Sequence, residues 1–357
     1  MKVVVDKKNK YISKFDTMTG FYVRSGVIEG GKDTGIDPFM SSFPELLDVG
    51  VMGYCIHGHR RLCVKSGVSC YQDGMNKMQP NMLFKDFKRI VDECKDRTFQ
   101  IALGGRGDPN KHEDFEKLVS YSRKNGVVPN YTTSGLDLTD YEVGVTKEYC
   151  GAVAVSWYRQ KHTYRALNKF LRKGIITNIH YVLSRKSIDE AISMLREDGF
   201  PKGINAVIFL LHKPVGLGRF EDVLRYDDRR LKEFFELVDK KEMSFDIGFD
   251  SCSVPGIINF MENYDSISLD TCEGARWSAY ISPDMKMTPC SFDQSFEYAY
   301  SLRDNSIENV WKQEMFERFR DDLKNYCLDC LKKDLCMGGC PLMREIVLCQ
   351  EKNRKVV

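Results

Sequence analysis

Seven cysteines lie close together in the last third of the chain, among residues rich in glycine, proline and charge. They occur at Cys272, Cys290, Cys327-x2-Cys330-x5-Cys336-x3-Cys340 and Cys349. Thiols grouped this closely either form disulfides or bind metal, and gaps of two to five residues are typical of metal ligands. The spacing therefore favours a metal-binding module over residues 272–349.

A second group of thiols, Cys55-x7-Cys63-x6-Cys70, directly follows a predicted strand. Three thiolates cannot complete a four-iron cluster, so one iron would stay open for another ligand. Zinc held by three protein ligands and a water is the alternative. His57 and His59 lie in the same segment; the alternatives for them are zinc ligands, ordinary loop residues or side chains that contact the metal ligands.

Composition favours metal over disulfides. The chain has 357 residues, and its 13 cysteines are an odd number, whereas small disulfide-rich domains are much shorter and use paired cysteines. The apolar run after Met1 is too short for a signal peptide, and no apolar stretch approaches the length of a membrane span. The sequence predicts a cytoplasmic protein with reduced thiols.

The charge balance gives no reason to expect nucleic acid or a membrane surface as partner. The formal net charge is +2, from 53 basic and 51 acidic side chains that are well mixed along the chain. Nucleic-acid binding is usually accompanied by a strong basic excess. With 42% hydrophobic residues, the chain can bury one large core or two smaller ones.

Strands and helices alternate between residues 46 and 250, which predicts an α/β fold. Apolar runs predict strands at 46–52, 99–103, 151–157, 177–183 and 206–211, and one that ends near 131–135. Helices are predicted at about 81–95, around 115–122, at about 163–173 and from residue 187. Such alternation is typical of a parallel sheet with crossover helices, and six units favour a partial (β/α)6 TIM-like barrel. We predict an N-terminal extended arm over 1–45, the barrel over 46–250 and a cysteine-rich domain over 251–357.

Polar and glycine-rich segments follow the predicted strands, at the edge where such folds place their chemistry. The clearest is Gly104-Gly105-Arg106-Gly107-Asp108-Pro109. Glycines there would let a cofactor approach the backbone, and Asp108 could hold an ammonium group. A plain turn is the alternative. Ser134 and Ser156 follow the next two strands.

These motifs, taken in order, resemble the radical S-adenosylmethionine (SAM) enzymes: a strand, three cysteines with Tyr71 after the last, then Gly-Gly-x-Gly-Asp-Pro. The tail resembles the SPASM domain of that superfamily, through Cys272-x17-Cys290, Gly274, Tyr280-Ile281-Ser282-Pro283-Asp284 and the later cysteines. The resemblance covers roughly residues 46–350. The sequence departs from the family in two places: the usual Cys-x3-Cys-x2-Cys motif is expanded, and Asp108 replaces the usual Glu.

The resemblance implies three [4Fe–4S] clusters. Cys55, Cys63 and Cys70 would hold the SAM-binding cluster, and two auxiliary clusters would take four thiols each. The nearer auxiliary cluster would use Cys272, Cys290 and Cys340, with Cys252 as the best candidate for its fourth ligand; a purely structural thiol is the alternative. The distal one would use Cys327, Cys330, Cys336 and Cys349.

The resemblance also implies the SAM contacts. Gly104, Gly105 and Asp108 would contact its methionine part, Ser156 its ribose, and Ser134 would form part of the pocket wall. Cys94 and Cys150 remain as predicted core thiols. For the tail alone, a pair of zinc sites is the alternative.

The function implied is reductive cleavage of SAM to a 5′-deoxyadenosyl radical, which abstracts hydrogen from a peptide or protein substrate. A flavodoxin or ferredoxin would supply the electron. In the sulfatase-maturating relatives an Asp after Pro-Cys is thought to be the base; here Ser291 takes that place, so Asp293 is our hypothesis for the base. A small-molecule substrate and a non-enzymatic metal-binding interaction protein are the alternatives.

Overall fold

The computed structural model describes residues 1–325, Cys327 and residues 330–349. The first 45 residues, predicted as an extended arm, form small antiparallel sheets. One contains β1 (Lys2–Asp6), β2 (Tyr11–Phe15) and β3 (Tyr22–Arg24), and the other is the hairpin of β4 (Ile28–Glu29) and β5 (Lys32–Asp33).

The three-stranded sheet is attached to the rest of the protein by alternate residues of β2. Phe15 packs on Phe99, with ring centroids 5.5 Å apart. The Glu45 carboxylate accepts hydrogen bonds from the hydroxyls of Tyr11 at 2.9 Å, Ser13 at 2.7 Å and Tyr22 at 2.5 Å. This period-2 pattern of inward side chains explains why the segment forms strands.

The centre of the molecule is a parallel sheet whose strands alternate with helices. Its strands are β6 (Leu46–Met52), β7 (Gln100–Gly105), β8 (Val128–Thr133), β9 (Val153–Ser156), β10 (Thr177–Leu183), β11 (Ala206–Leu211) and β12 (Asp246–Phe249). They lie side by side in sequence order, each parallel to the next. The sequence predicted the first six; β12, which has four residues and contains Gly248, was missed.

The helices of this region, apart from the four-residue α1, bury one face against the sheet. They are α1 (Leu62–Lys65), α2 (Phe84–Cys94), α3 (Phe115–Lys124), α4 (Asp140–Tyr149), α5 (Lys161–Arg172), α6 (Ile188–Glu197) and α7 (Arg229–Lys240). In α2, Phe87, Ile90 and Val91 are buried, at the spacing of one helical face. Among the described residues, no helix combines the length and apolarity needed to cross a lipid bilayer.

The opposite face of the sheet, here called the lumen, is lined by side chains that share a face through the strand register. Asp48 lies beside Ala102 on one neighbouring strand and beside Tyr280 on the other, and Ser156 lies beside His180. The lumen positions are Asp48, Ala102, Asn130, Thr132, Ala154, Ser156, Asn178, His180, Ile208, Gly248 and Tyr280. Ala206 and Asp246 share this face by the same register; Asp246 is exposed at the start of β12, whereas Asp48 lies on the central strand β6.

The sheet is strongly curved, because residues that follow strands far apart in its order meet in space. Lys213 follows β11 and forms an ion pair with Asp250, which follows β12. The Lys213 ammonium also lies 4.6 Å from the ring centre of Phe292, in a loop attached to the other side of the sheet. Such curvature is that of an open barrel, and the predicted α/β class with a partial barrel is confirmed.

The last third of the chain extends the same sheet. Strand β13 (Ser278–Ile281) pairs in parallel with β6, and β14 (Lys286–Thr288) and β15 (Tyr300–Ser301) follow in antiparallel order. The helices here are α8 (Val254–Phe260), α9 (Ile307–Trp311), α10 (Glu314–Asn325) and α11 (Lys333–Cys336). Because Ile281 and Trp311 belong to the same buried core as the barrel, the predicted boundary at residue 250 divides one continuous core.

Candidate functional site

The three-cysteine loop follows β6 at the carboxyl edge of the sheet. A 3-10 turn at Gly58–Arg60 and the short helix α1 shape it. A hydrogen bond with Cys63 lowers the pKa of Cys70 to about 6, and the same contact and burial raise the pKa of Cys63. Cys55 lies close enough for its charge to act on Cys63. The loop therefore gathers its three thiols, although its gaps are longer than the usual motif.

Neighbouring groups already donate hydrogen bonds toward these sulfurs. The Tyr158 hydroxyl lies 3.1 Å from the Cys63 sulfur, and the Gly74 backbone N–H donates to the Cys70 sulfur at 3.5 Å. Hydrogen bonds to thiolate sulfur stabilise its negative charge and tune an attached cluster. The surroundings of this loop suit thiolate ligands.

The glycine motif after β7 divides into an open position and a packed one. A side chain at Gly104 would meet no atom within 4 Å, so the backbone there is open to a cofactor. Gly105 has φ of +112°, and a Cβ there would come within 2.4 Å of the Met52 carbonyl oxygen. Glycine at 105 is thus required by packing against β6, whether or not a cofactor binds.

Asp108 is joined to Ser134 at the ends of adjacent strands. The Ser134 backbone N–H donates to one carboxylate oxygen at 2.8 Å, and its hydroxyl donates to the other at 2.5 Å. Burial raises the pKa of Asp108, while these bonds act in the opposite direction. The structure therefore brings together two of the predicted SAM-contact residues.

Ser156 and His180 continue this polar edge into the lumen. The Ser156 hydroxyl has no hydrogen-bond partner among the residues that the structure describes, so a backbone-capping role is not what holds it there. His180 Nδ1 lies 3.2 Å from the Thr132 hydroxyl, and burial lowers the pKa of His180 to about 4. The imidazole is therefore neutral at physiological pH.

A four-thiol group, formed by Cys252, Cys272, Cys290 and Cys340, lies at the junction of the barrel and the last third of the chain. Burial raises the pKa of Cys252; the charge of Lys213 opposes this shift, and those of Asp250, Cys340 and Cys272 add to it. Cys272 and Cys340 act on Cys290 in the same way. Buried thiols that repel one another in this way favour a site that supplies positive charge, as metal does.

The tail thiols Cys327, Cys330 and Cys336 lie in short turns and at the end of α11. The Cys330 backbone N–H bonds to the Cys327 carbonyl at 3.1 Å, and Cys336 ends α11. None of the 13 cysteines, all within the described residues, forms a disulfide. The assignment of Cys327, Cys330, Cys336 and Cys349 to one distal cluster stays a prediction.

The thiols are grouped, yet they do not surround a single point. Over residues 1–325, 327 and 330–349, no three Cys, His, Asp or Glu side chains converge as ligands of one metal ion. A four-iron cluster spreads its ligands over several metal atoms, whereas zinc draws four donors around one. The all-cysteine donor sets are those of iron–sulfur clusters, which are held by cysteine thiolates.

The three-cysteine loop and the four-thiol group are connected by a direct contact. The ring of Tyr71 packs on that of Phe292, with centroids 4.6 Å apart, and the Gln294 amide donates to the Gln72 side-chain oxygen at 3.3 Å. Tyr71 follows Cys70, and Phe292 is two residues after Cys290. The two predicted cluster sites therefore share a wall.

Asp293, our hypothesis for a catalytic base, holds its own loop in place. One carboxylate oxygen accepts from the Ser295 hydroxyl at 3.0 Å and the Glu297 N–H at 3.1 Å, and the other from the Tyr298 N–H at 3.0 Å. The side chain is 3% exposed. This geometry does not favour Asp293 as a base, because both oxygens are already engaged.

Sequence reasoning missed several polar side chains of this region. The sequence pattern could have identified Asp48, because it is a polar residue between Leu47 and Val49 in an apolar strand. The pair of Lys213 with Asp250 joins the ends of two strands, which only the fold reveals. For His57 the sequence predicts a loop residue, a contact of the metal ligands or a zinc ligand, but not its position against Asp108.

Comparisons with known proteins agree with this arrangement. Residues 272–331 match the SPASM family model, an iron–sulfur cluster-binding domain. The mycofactocin maturase MftC of Mycobacterium tuberculosis is 23% identical over 306 residues, which cover 78% of this chain and 75% of MftC.

Solved structures show the same fold. SuiB of Streptococcus suis bound to S-adenosylmethionine aligns with a TM-score of 0.65 and 16% identity over 84% of this chain and 74% of SuiB; SuiB bound to precursor peptide SuiA gives 0.67 and 15% over 87% and 77%. The protein anSMEcpe with bound AdoMet and a peptide gives 0.61 and 15% over 85% and 91%. These likenesses confirm the recognition made from the sequence: the chain has the fold of radical SAM enzymes and carries a SPASM domain in its carboxyl-terminal third.

Proposed function

We propose that this protein is a radical SAM enzyme that modifies a peptide or protein substrate. The observation that carries the proposal is the position of the three-cysteine loop, which lies between the Gly104–Asp108 segment on one side and the four-thiol group on the other. Reductive cleavage of SAM needs SAM to bind beside one open cluster, and the four-thiol group would place an auxiliary cluster next to it.

The residues at the carboxyl edge have separate roles in this proposal. Cys55, Cys63 and Cys70 would hold a [4Fe–4S] cluster with one iron open to SAM. When bound, the cluster would supply the one electron that breaks the C5′–S bond of SAM into methionine and a 5′-deoxyadenosyl radical. The open backbone at Gly104, the pair of Asp108 and Ser134, and the free Ser156 hydroxyl would orient SAM. Gly105 would contribute through backbone packing.

Two auxiliary clusters complete the proposed cofactor set. Cys252, Cys272, Cys290 and Cys340 would hold the nearer one, which the electrostatic contacts among these thiols support. Cys327, Cys330, Cys336 and Cys349 would hold the distal one. Lys213 and Asp250, buried beside Cys252, would keep the charge around the nearer cluster balanced.

A peptide substrate is supported by the relatives. MftC is named a maturase, and SuiB and anSMEcpe have each been solved with a peptide. We further propose that a flavodoxin or ferredoxin supplies the electron and that the protein works in the cytoplasm, without nucleic acid or membrane as partner.

Anaerobic reconstitution with iron and sulfide, followed by reduction in the presence of SAM, tests the proposal. We expect about 12 irons per chain for three four-iron clusters and release of 5′-deoxyadenosine. Incubation with short peptides encoded beside the gene should change the mass of one of them. Bound zinc with no SAM cleavage contradicts the proposal, and SAM cleavage accelerated only by a small metabolite contradicts its peptide part.

A further inference from the structure

His57 is a buried imidazole that is not among the predicted SAM contacts. It is the second residue after Cys55 in the expanded part of the loop, and it is 7% exposed. Its Nε2 is buried and has no hydrogen-bond partner among the described residues. Burying a polar nitrogen without a partner destabilises a protein, so an orphaned nitrogen at this place indicates a missing ligand.

The imidazole lies between the cluster loop and the glycine motif. Its backbone N–H is directed at the Cys55 thiol, while Nε2 is 4.0 Å from an Asp108 carboxylate oxygen. That distance is too long for a hydrogen bond. Each Asp108 oxygen accepts one hydrogen bond from Ser134 and keeps a lone pair for a further donor. An imidazole nitrogen without a hydrogen-bond partner among the described residues therefore lies beside a buried carboxylate, next to the first cysteine.

A second orphaned nitrogen lies in the same neighbourhood. His162 Nε2 is also buried without a partner among the described residues, and Asp108 and His57 both act electrostatically on its imidazole. A neutral imidazole carries one N–H and one lone pair. Asp108 thus offers a carboxylate to a positive or N–H-donating group, and an imidazole N–H beside it can donate to a negative group. An α-amino acid end requires this combination.

We propose that His57 binds the amino-acid end of SAM, donating from Nε2 to the α-carboxylate while Asp108 accepts from the α-amino group. This inference rests on the proposed function and adds a residue that the expanded cysteine spacing supplies. It also gives a reason for the spacing: the extra residues after Cys55 place an imidazole where the shorter Asp108 side chain, in place of Glu, leaves room.

Calorimetric titration of SAM into the cluster-reconstituted full-length protein tests the inference, with S-adenosylhomocysteine as a second probe that shares the amino-acid end. We expect His57→Ala to weaken binding of both probes roughly tenfold, the loss of one hydrogen bond to a charged group. His57→Gln, whose amide nitrogen can reach the Nε2 position, should recover part of the affinity. His59→Ala, an exposed histidine in the same loop, should bind like the wild type.

Iron content and the electron paramagnetic resonance spectrum of the reduced cluster, recorded without SAM, separate binding from folding of the loop. Unchanged iron and spectrum with weaker SAM binding support the inference. Wild-type affinity in His57→Ala overturns it, as does loss of iron in both His57 variants, since His57 would then support the cluster itself. A wild-type protein that carries its clusters but binds no SAM contradicts the proposed function instead.

Discussion

The three-cysteine loop and the four-thiol group differ in how the chain builds them. The loop takes its thiols from one continuous stretch after β6, whereas the four-thiol group takes one each from segments near residues 252, 272, 290 and 340. The loop is rich in hydrogen-bond donors, such as Tyr158 and the Gly74 N–H. In the four-thiol group, Cys252, Cys272 and Cys340 pack against the core that the barrel shares with β13.

This difference predicts at which of the two sites the bound metal contributes to the free energy of folding. A site made by one loop can lose its metal while the surrounding strands stay paired. A site made by four distant segments ties those segments together, so its metal contributes to the free energy of folding. Four sets of variants test this contrast, in order from the largest expected effect to the smallest.

Removing one thiol from each site should separate activity from stability. Cys63→Ala is expected to abolish 5′-deoxyadenosine release, to leave about eight irons per chain, and to leave the unfolding temperature within about 2 °C of wild type. Cys290→Ala should also lose about four irons, but should lower the unfolding temperature by roughly 5 °C or more, because its cluster joins distant segments.

Iron analysis and thermal unfolding measure both outcomes, with Cys150→Ala as the control. Cys150 is a predicted core thiol that should leave the iron content unchanged. Equal thermal destabilisation by Cys63→Ala and Cys290→Ala would remove the contrast between the sites.

The buried ion pair beside the four-thiol group gives the second test. Lys213→Met leaves the Asp250 carboxylate without its cation, although Asp250 still accepts from the Leu211 N–H at 3.1 Å and the Ser253 hydroxyl at 2.8 Å. We expect the free energy of unfolding to fall by about 3 kcal/mol, measured by denaturant titration of the cluster-free protein.

The double variant Lys213→Met with Asp250→Asn should recover part of that loss, since no unpaired charge remains. Lys232→Met, which breaks an exposed pair with Glu236 on α7, should cost less than about 1 kcal/mol. If the two single variants are destabilised equally, the region around Cys252 is far more hydrated than its burial indicates.

The third test concerns the lumen between the two sites, where Asp48 lies near Tyr71 and Tyr280. Burial raises the pKa of Asp48 to about 6, above the value near 3.9 of an unfolded chain. Because its pKa is higher in the folded state, ionisation of this carboxyl destabilises the fold. The free energy of unfolding therefore falls as the pH rises from about 4 to about 6.

Asp48→Asn should therefore stabilise the protein by about 2 kcal/mol at pH 7.5 and by almost nothing at pH 4. Unfolding titrations of wild type and variant at several pH values measure the difference. A constant difference across this range would show that the Asp48 charge is well solvated.

The smallest expected effect is at the hydroxyl that contacts the three-cysteine loop. Tyr158→Phe removes the bond to Cys63 and should change the free energy of unfolding by less than about 1 kcal/mol. It should lower the reduction potential of the first cluster, because hydrogen bonds to ligating sulfur favour the reduced form. Potentiometric titration followed by electron paramagnetic resonance measures this, and an unchanged potential would mean that the bond is absent once the cluster is present.

The fold was predictable wherever one strong pattern covered a whole element. Strands β10 and β11 have the predicted bounds because their apolar runs end sharply. The short β12 and the antiparallel strands of the first 45 residues were missed, since their pairing depends on distant partners. Helix α4 was missed as well, although Thr139 and Glu142 carry the capping-box signal that starts it.

The candidate site was predictable where residue type alone restricts the chemistry, and less so where geometry decides. Cysteine spacing and ligand counting brought out Cys252, which the structure places beside its predicted partners. The sequence could not show that Asp293 would be held by its own loop, that His57 would face Asp108, or that Lys213 would reach Asp250. Each of these depends on where separate loops end up after the sheet curves.

The parallel pairing of β13 with β6 has a consequence for how the protein is made. Residues 46–49 gain their second neighbour only when residues 278–281 are available, so on the ribosome the barrel's first strand keeps a bare edge until most of the chain has emerged. Contacts this distant in sequence form slowly, and unpaired parallel edges invite association with other chains. Synthesis in the cell would therefore depend on chaperones or on rapid translation of the last third, and a fragment ending near residue 250 should aggregate.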